Sequence, residues 1–510
     1  MSGTGFMLRT EPIGGSSLAR AAQEGRTPAS WFPPIPRGAD AWRARCTQVG
    51  AGFAGGDWLR ALAPAFGASG AARERLERVA AAGGVVVTSG QQPGLFGGPV
   101  YTWSKAIGAL GMADALEQAG VAAAPVFWAA TDDADFEEAS ITTVAIRGGV
   151  RDLRLAPAPA PGTPMSRTPM GALDAELAAL AEACGSAPYA EAVEAARAAY
   201  AGGRTVGEAY LVLLRRILEP LGIPVLDASH PAVRKASRPL VSAAIARAGA
   251  VDAALEARDA ELVAAGHRPQ VERVAGLAPV FAIEEGIKRR LRVGETVPAG
   301  REVAPNVLLR PVVERAILPT VAYLAGPGEL AYFAQVSAVA EALGAAAPLA
   351  LPRWSVTIVE DHMAKLVRRL DTSEDELRDP HAAAGRLARI AMPATVGRAL
   401  ATLRETVTLE LGRVAEDPEA GKLLPVPALE GAARALGHRL DRLERRFVAA
   451  VKREEVQLMT DLATARGYFF PHDGRQERVL NFLPFLARQG RPLLEAMVAE
   501  ATRHAREIVQ

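Results

Sequence analysis

The clearest pattern of hydrophobic and polar positions lies between residues 85 and 138. Residues 85–88 form a short β-branched run and residues 124–128 a second apolar run, and each predicts a buried strand. Between them a glycine-rich loop leads to Pro99, which suits the first position of a helix because its φ is fixed and its missing N–H would have no partner. Strand, helix and strand in this order predict a right-handed parallel βαβ unit.

The same alternation continues along the chain. Residues 222–226, 320–324 and 347–351 read as further strands, and residues 330–343 as a helix that follows a tight turn at residues 326–328. A strand pair is predicted over residues 141–155. The alternation from residue 85 to residue 351 therefore predicts an α/β fold with a parallel sheet, interrupted by a helical insertion (about 156–220) and a β-hairpin (about 280–293).

From residue 355 the strand pattern is replaced by helical spacing. Two long helices, about 355–413 with a break near Pro380 and about 427–465, are expected to form an antiparallel hairpin. Leu436, Leu440, Leu443 and Phe447 follow the four-three spacing of a coiled-coil seam. This seam could be satisfied within one hairpin or between two subunits, and the sequence leaves both open.

These patterns divide the chain into four parts. Residues 1–70 form an irregular N-terminal arm that Trp31, Trp42 and Trp58 are expected to anchor on the core. Residues 71–354 hold the parallel sheet with its insertions. Residues 355–465 form the α-helical domain, and residues 466–510 return to the core.

Composition narrows the class of protein. A formal net charge of +1 over 510 residues gives no sign of a nucleic-acid partner. The two cysteines cannot build a disulfide framework, which favours a reducing cytoplasm. No run of about 18 uncharged apolar residues occurs, so no membrane span is expected.

The glycine-rich loop after the first strand is the first candidate site. Exposed N–H groups at the start of the following helix favour an anion. The loop lacks Gly-Lys-Ser/Thr and the dinucleotide glycine spacing, so a plain tight connection is the alternative. The candidate ligand contacts are Gly90, Gln91, Gln92, Gly94, Gly97 and Gly98.

The acidic loop after the second strand is the second candidate. Asp132, Asp133 and Asp135 are crowded together, so one carboxyl group is protonated or the group shares a cation or a substrate ammonium. Mg²⁺ is conceivable, although no ligand set is defined and no metal ligands are assigned. The alternative is a solvated loop in which Asp135 caps a helix.

A third loop contains Gly326, Gly328 and Glu329, with Arg310 upstream as a ligand for a carboxylate or phosphate. A fourth, residues 227–230, ends at His230, which is either a base or an ordinary surface histidine. Loops that follow parallel strands leave one edge of the sheet. We therefore expect the four loops to surround one cleft, lined by Gln91, Gln92, Asp133, Asp135, Arg310 and Glu329.

Five segments, in this order, resemble the BshC family, which is assigned the cysteine-adding step of bacillithiol biosynthesis: TSGQQPGLFGGPVYTWSKA, PVFWAATDDADFEE, NVLLRPVVERAILPTVAYLAGPGELAYFAQ, LPRWS and QERVLNFLPFL. The resemblance implies a Rossmann-like core with inserted connecting segments and an α-helical coiled-coil domain that forms a homodimer. It also implies a ligase that joins L-cysteine to glucosaminyl-malate through an amide bond.

The acidic loop departs from the family, whose members usually carry Glu-Asp-His-Asp where this chain has Ala134 before Asp135. Asp133 and Asp135 are then the candidate catalytic residues. Amide formation from a free carboxylate needs activation, most simply by ATP, with Mg²⁺ as a possible companion. Ala134 also suggests an alternative hypothesis, that the protein is a non-catalytic dimeric scaffold or ligand-binding protein. A nucleotidyltransferase acting on another small acid is the third reading.

Overall fold

A computed structural model of the protein describes residues 5–298 and 300–510. The chain divides into two compact units. The first, called the sheet unit, contains residues 5–144, 152–359 and 477–510. The second, called the helical unit, contains Ala145–Arg151 and Glu360–Gln476.

The strands run in chain order as β1 (Phe6–Thr10), β2 (Val85–Gln91), β3 (Ala123–Ala129), β4 (Ile141–Ile146), β5 (Gly149–Arg154), β6 (Val225–Asp227), β7 (Leu277–Glu284), β8 (Ile287–Arg292), β9 (Val303–Pro305), β10 (Thr320–Ala325), β11 (Ala350–Pro352) and β12 (Val356–Glu360). The helices before residue 360 are α1 (Ser17–Gln23), α2 (Ala39–Ala51), α3 (Asp57–Phe66), α4 (Gly70–Ala81), α5 (Val100–Gln118), α6 (Phe136–Ala139), α7 (Asp174–Cys184), α8 (Glu191–Ala199), α9 (Val206–Leu218), α10 (Pro231–Ala246), α11 (Ala248–Ala264), α12 (Arg310–Ile317) and α13 (Pro327–Leu343). The later helices are α14 (Asp361–Arg369), α15 (Glu374–Arg378), α16 (Pro380–Ala391), α17 (Ala394–Glu416), α18 (Ala420–Leu423), α19 (Val426–Glu454), α20 (Val456–Phe469), α21 (Gln476–Val479), α22 (Leu483–Gln489) and α23 (Arg491–Val509).

The centre of the sheet unit is a five-stranded sheet in the order β11–β10–β2–β3–β6, and each neighbouring pair is parallel. β2 and β3 pair in unbroken register from Val85 opposite Ala123 to Gln91 opposite Ala129. The predicted α/β fold with a Rossmann-like parallel sheet is confirmed.

Helices cover both faces of this sheet, which explains why its strands read as continuous apolar runs. Along β2, Val85 and Val87 pack into a core cluster that includes residues of α5 and α23, whereas Val86 joins the cluster on the other face. Gly111 of α5 permits close packing against α23, because a Cβ at this position would lie 2.6 Å from the carbonyl carbon of Ala501.

The N-terminal arm is anchored as predicted. Trp31, Trp42 and Trp58 are all buried. The indole of Trp42 donates to the carbonyl oxygen of Ile508 at 3.2 Å, and that of Trp31 donates to Glu261 at 2.9 Å. Tryptophan side chains therefore tie the arm both to α23 and to α11.

Several element boundaries differ from the predictions. The strand β12 lies where only helix was expected, and it pairs with β1 at the N-terminus. Residues 326–328 are not a separate turn, since Gly326 is the N-cap of α13 and Pro327 is its first residue. The predicted hairpin of β7 and β8 gains a third strand, β9. The strand pair β4–β5 is confirmed.

In the helical unit, α17 and α19 pack antiparallel, with Arg404 paired to Asp441 at 2.7 Å. The first predicted long helix is instead four shorter helices, α14 to α17. The break at Pro380 is confirmed, and two further breaks follow Arg369 and precede Ala394. Leu436, Leu443 and Phe447 of the predicted seam remain 38%, 37% and 38% exposed within one chain.

No helix among residues 5–298 and 300–510 is both long and apolar enough to cross a membrane. Cys46 and Cys184 are both free and buried.

Candidate functional site

A cleft of 540 Å³ lies at the carboxyl ends of β2, β3 and β10. Because these strands are parallel neighbours, the loops that follow them meet at one edge of the sheet. The cleft is lined by all six side chains that the sequence analysis placed there, namely Gln91, Gln92, Asp133, Asp135, Arg310 and Glu329. Four more of the predicted binding residues also line it: Gly90, Asp132, Gly326 and Gly328.

The remaining glycines of the first loop do not line this cleft. The side-chain amide of Asn481 donates to the carbonyl oxygens of Phe96 at 3.1 Å and Gly98 at 3.3 Å. A Cβ at Gly97 would lie 2.5 Å from the Trp103 ring. Gly97 and Gly98 thus lie in a tightly packed connection, and Gly94 lines a neighbouring cavity of 210 Å³ together with Gln91, Gln92 and Tyr101. A ligand contact at these three glycines stays a prediction.

The fourth predicted loop leaves the same edge of the sheet but does not border the cleft. Ala228 and Ser229 line a separate small cavity beside it. Nδ1 of His230 accepts a hydrogen bond from Ala232 N at 3.1 Å and so caps α10. A role for His230 as a base in the cleft is excluded by this placement.

Glu329 is the carboxylate around which the cationic side chains Lys105 and Arg310 are arranged. Its Oε2 accepts from Gly326 N at 2.7 Å and forms an ion pair with Lys105, while its Oε1 accepts from the Tyr323 hydroxyl at 2.6 Å. Burial alone would raise the pKa of Glu329, but the charges of Lys105 and Arg310 hold it below its ordinary value. Glu329 is therefore ionised, and it fixes Lys105 at the base of the cleft.

Lys105 is only 2% exposed, and its ammonium also donates to Gly90 O at 2.8 Å and Gln91 Oε1 at 3.0 Å. Burial lowers its pKa, and Glu329 opposes that shift. Lys105 thereby holds the end of β2 against the start of α13. We interpret it as the residue that sets the shape of the cleft floor.

Arg310 lies at the first position of α12 and points one face of its guanidinium into the cleft. Nη2 donates to the hydroxyls of Tyr323 and Tyr332 at 3.4 and 3.3 Å. Its carboxylate neighbours are farther away, with Glu314 at 3.6 Å and Glu329 at 4.0 Å. Nη1 is buried and forms no hydrogen bond in the described part of the chain, and the carboxylate it faces is that of Glu314.

Arg353 is positioned by the C-terminal segment. Its guanidinium forms two hydrogen bonds with the Glu477 carboxylate, at 2.8 and 2.6 Å, and both side chains are buried. Such a paired contact fixes the plane of the guanidinium. Arg353 Nε has no partner among the residues described, and the side chain lines the cleft.

The acidic loop forms the opposite side. Asp133 is half-buried, and its Oδ1 accepts from Asp135 N at 2.9 Å. Burial raises the pKa of Asp133, which makes it a candidate to accept a proton. Asp135 accepts from Glu138 N at 3.1 Å and caps α6, as the alternative interpretation foresaw, while it still lines the cleft. Asp132 pairs with Lys288 at 3.5 Å.

A small polar network joins the two sides at the rim. The Tyr101 hydroxyl accepts from Gln91 Nε2 at 2.9 Å and donates to Glu138 at 3.2 Å, and Gln92 Nε2 donates to Glu138 at 2.6 Å. Partial burial and the neighbouring charges of Asp135 and Asp133 raise the pKa of Glu138, although Tyr101 opposes the shift. The amide groups of both glutamines are thus held by protein groups, since Gln91 Oε1 accepts from Lys105 and Gln92 Oε1 accepts from Gln91 Nε2 at 3.2 Å.

Sequence reasoning missed several charged or aromatic lining residues. Tyr101, Lys105 and Glu138 come from the same stretch as the predicted loops, whereas Lys288, Arg290, Arg353 and Arg478 come from distant segments. Lys105 had a usable signal, since it is the first charged residue after residue 84 and the only one before Asp114. Lys288 and Arg290 alternate along β8, and their cationic groups lie over the Phe281 ring at 5.5 and 5.3 Å. Arg353 and Glu477 gave no local signal that they pair.

The acidic residues of the cleft raise the question of a metal ion. In residues 5–298 and 300–510, no group of three or more His, Cys, Asp or Glu side chains has the arrangement of a metal site. A divalent cation would therefore need ligands from a bound substrate, as Mg²⁺ usually does.

Comparison with known proteins gives consistent matches over most of the chain. The family model for the N-terminal Rossmann-like domain of bacillithiol biosynthesis BshC matches residues 56–299 and 293–354, and the model for its C-terminal coiled-coil domain matches residues 425–508. A protein of Solibacter usitatus is 31% identical, over 84% of this chain and 85% of its own length. A protein of Koribacter versatilis is 31% identical, over 87% and 86%. A protein of Heliobacterium modesticaldum is 29% identical, over 86% and 85%. All three carry the name "Putative cysteine ligase BshC".

Proposed function

The chain belongs to the BshC family of bacillithiol biosynthesis, and from this premise we propose that it is an amide-forming ligase. Its substrates would be L-cysteine and glucosaminyl-malate. The new bond joins the carboxyl carbon of cysteine to the amine nitrogen of the acceptor. The observation that carries the proposal is the cleft, where an acidic side and a cationic side face each other across the carboxyl edge of the sheet.

The two sides suit the charges of these substrates. Asp133 and Asp135 offer carboxylates to a substrate ammonium or amine. Arg290 and Arg478 line the cleft and form no ion pair within the described chain, and Arg310 lines it beside them. Guanidinium groups of this kind bind carboxylates and phosphates well, which fits the two carboxylates of a malate group.

ATP is the proposed source of activation, because an amide does not form readily from a free carboxylate. Its phosphates would lie near the start of α13, on the side that carries Lys105 and Arg353. A Cβ at Gly326 would lie 3.2 Å from Glu329 Oε2, 3.8 Å from Arg353 Nε and 3.9 Å from the Cε atom of Lys105, so two cationic side chains and the carboxylate that already accepts from Gly326 N surround this point. Bound ATP would make the cysteine carboxyl a better acylating group, with Mg²⁺ held mainly by the phosphates.

The chain's own side chains would carry out three tasks. Arg310 and Arg353 bind and orient anionic groups, and the Glu477 and Glu329 carboxylates hold the cationic side in place. Asp133, whose pKa is raised, takes the proton that the attacking amine loses. No imidazole is required for these tasks, so Ala134 is compatible with activity.

Incubation of the purified chain with L-cysteine, glucosaminyl-malate, ATP and Mg²⁺ tests the proposal, with the amide product followed by mass spectrometry. The expected result is one equivalent of ATP consumed for each amide formed. Tight binding of both substrates without any product would instead favour a non-catalytic ligand-binding protein. Pyrophosphate release with an unrelated small acid would favour a nucleotidyltransferase.

We also propose that the protein is a cytoplasmic homodimer. Leu436, Leu443 and Phe447 lie at coiled-coil spacing on α19 and are each more than a third exposed in a single chain. A second hairpin packed on this seam would bury them. The free cysteines fit a reducing compartment.

A further inference from the structure

A second, much smaller cavity of 40 Å³ lies beside the cleft. It is enclosed by residues of β9, α10 and α12 and by the indole of Trp128 at the end of β3. This space is more than tenfold smaller than the 540 Å³ cleft. The cavity is therefore too small for a substrate and large enough for the end of a short side chain.

The cavity adjoins the cleft directly. Asp132, Pro305 and Arg310 line both. These three residues therefore form the wall between the two spaces, and a short substituent of a molecule bound in the cleft would enter the cavity past them.

The walls are mixed in character. Val233, Val313 and Ala304 are buried against the space, and Asp132, Arg167, Arg234 and Arg310 also line it. The charged side chains have protein partners: Arg167 and Arg234 pair with Glu302, and Asp132 pairs with Lys288. The serines are also bonded, since Ser229 donates to Asp227 at 2.9 Å and Ser237 donates to Arg234 O at 3.2 Å. Trp128 is only 2% exposed, and its indole N–H has no hydrogen-bond partner in the described part of the chain.

We propose that this cavity binds the thiol of the substrate cysteine, with the Trp128 N–H directed at the sulfur. The inference rests on the proposed function for the presence of a cysteine substrate, and it adds a specificity site that the reaction itself does not require. A thiol suits the cavity because it is nearly apolar yet accepts a weak hydrogen bond. A hydroxyl needs stronger partners, so we expect serine to bind about 10- to 100-fold more weakly than cysteine.

The test is titration calorimetry on the full chain with glucosaminyl-malate present and ATP absent, using L-cysteine under reducing conditions, glycine and L-2-aminobutyrate. Val313→Ile adds one methylene to the cavity wall. We expect this variant to weaken the binding of cysteine by about tenfold or more and the binding of glycine by less than about threefold. Val312→Ile is the matched control, because Val312 is equally buried on α12 and does not line the cavity. It should change neither affinity.

Trp128→Phe removes the N–H, and it should reduce the preference for cysteine over 2-aminobutyrate by about threefold to tenfold. Trp103→Phe is its control, since Trp103 is also buried with an unpartnered N–H but lies outside the cavity. If Val313→Ile fails to fold, Ala304→Val fills the same space from β9.

The outcomes separate this inference from the proposed function. Selective loss of cysteine affinity in a protein that forms no amide would support the cavity and reject the ligase. Amide formation by the wild type, with unchanged cysteine affinity in Val313→Ile, would overturn the cavity and leave the ligase. Equal weakening of cysteine and glycine, or no cysteine binding by the wild type, would also overturn it.

Discussion

Replacing Glu329 by glutamine tests the electrostatic design of the cleft most severely. The amide keeps the size of the side chain and can still accept from Gly326 N and donate to the Tyr323 hydroxyl. What it removes is the negative charge that Lys105 and Arg310 face. The ammonium of Lys105 is then left with the oxygens of Gly90, Gln91 and the new amide, all of them neutral.

The structure sets the size of the effect. Lys105 is 2% exposed and Glu329 18%. Breaking a buried ion pair by removing one partner typically costs about 3–5 kcal/mol, because the other charge stays buried without compensation. Glu329 keeps some contact with water, so we expect the lower end, a loss of about 3 kcal/mol in the free energy of unfolding at pH 7.

The loss should depend on pH. Without Glu329, the pKa of Lys105 in the folded state falls further below its unfolded value. A base with a depressed folded pKa binds fewer protons when folded, so it destabilises the protein below its unfolded pKa and the loss shrinks as pH rises. Urea unfolding, followed through the buried tryptophans at pH 7 and pH 9.5, measures both effects. Glu495→Gln, which breaks an exposed pair with Arg491, is the control and should cost less than about 1 kcal/mol. A loss below 1 kcal/mol in Glu329→Gln, or one that does not change with pH, would refute the reasoning.

Three further predictions concern other parts of the molecule. Asp133→Asn should weaken the binding of glucosaminyl-malate about 10- to 100-fold, measured by calorimetry, without lowering the melting temperature. Asp259→Asn is the control: Asp259 is also half-buried and has a raised pKa, and its replacement should leave the binding unchanged. Burial raises the pKa of Glu314 to about 7, so the folded state holds a proton that the unfolded state releases near pH 4.5, and stability should fall as pH rises from 4.5 to 7. Glu314→Gln should reduce the fall in the free energy of unfolding between pH 4.5 and pH 7 by about 1–3 kcal/mol. An unchanged pH dependence of stability would contradict the raised pKa of Glu314. Leu443→Asp should convert a dimer into a folded monomer by light scattering, and a variant that stays dimeric would place the interface elsewhere.

Local signals explain which parts of the fold and of the candidate site were predictable. The runs at β2 and β3 are β-branched or aromatic, flanked by glycine or acidic loops, and a parallel pair follows from them together with the helix between. The residues at the carboxyl ends of these strands could therefore be placed in one cleft. The strand β12 could not be found, because the strand that it pairs with, β1, lies more than 340 residues away in sequence.

The part of the site that sequence reasoning missed depends on long-range contacts. Arg353 becomes a fixed guanidinium only because Glu477, from the C-terminal segment, binds it with two hydrogen bonds. Long-range contacts also determine the packing of the glycine-rich loop. Gly97 packs against Trp103, and Asn481 Nδ2 donates to the carbonyl oxygens of Phe96 and Gly98, so glycine content alone could not distinguish a tight connection from an anion site.

The most direct test of the central claim is a reaction with L-cysteine labelled with ¹⁸O at both carboxyl oxygens, together with glucosaminyl-malate and ATP. Nucleotide-driven amide formation transfers one carboxyl oxygen to the phosphorus that leaves and keeps the other in the amide. We predict that mass spectrometry will find one ¹⁸O in each amide product and one in the released phosphate or nucleoside monophosphate. The absence of amide, or amide without labelled phosphorus product, would contradict the account.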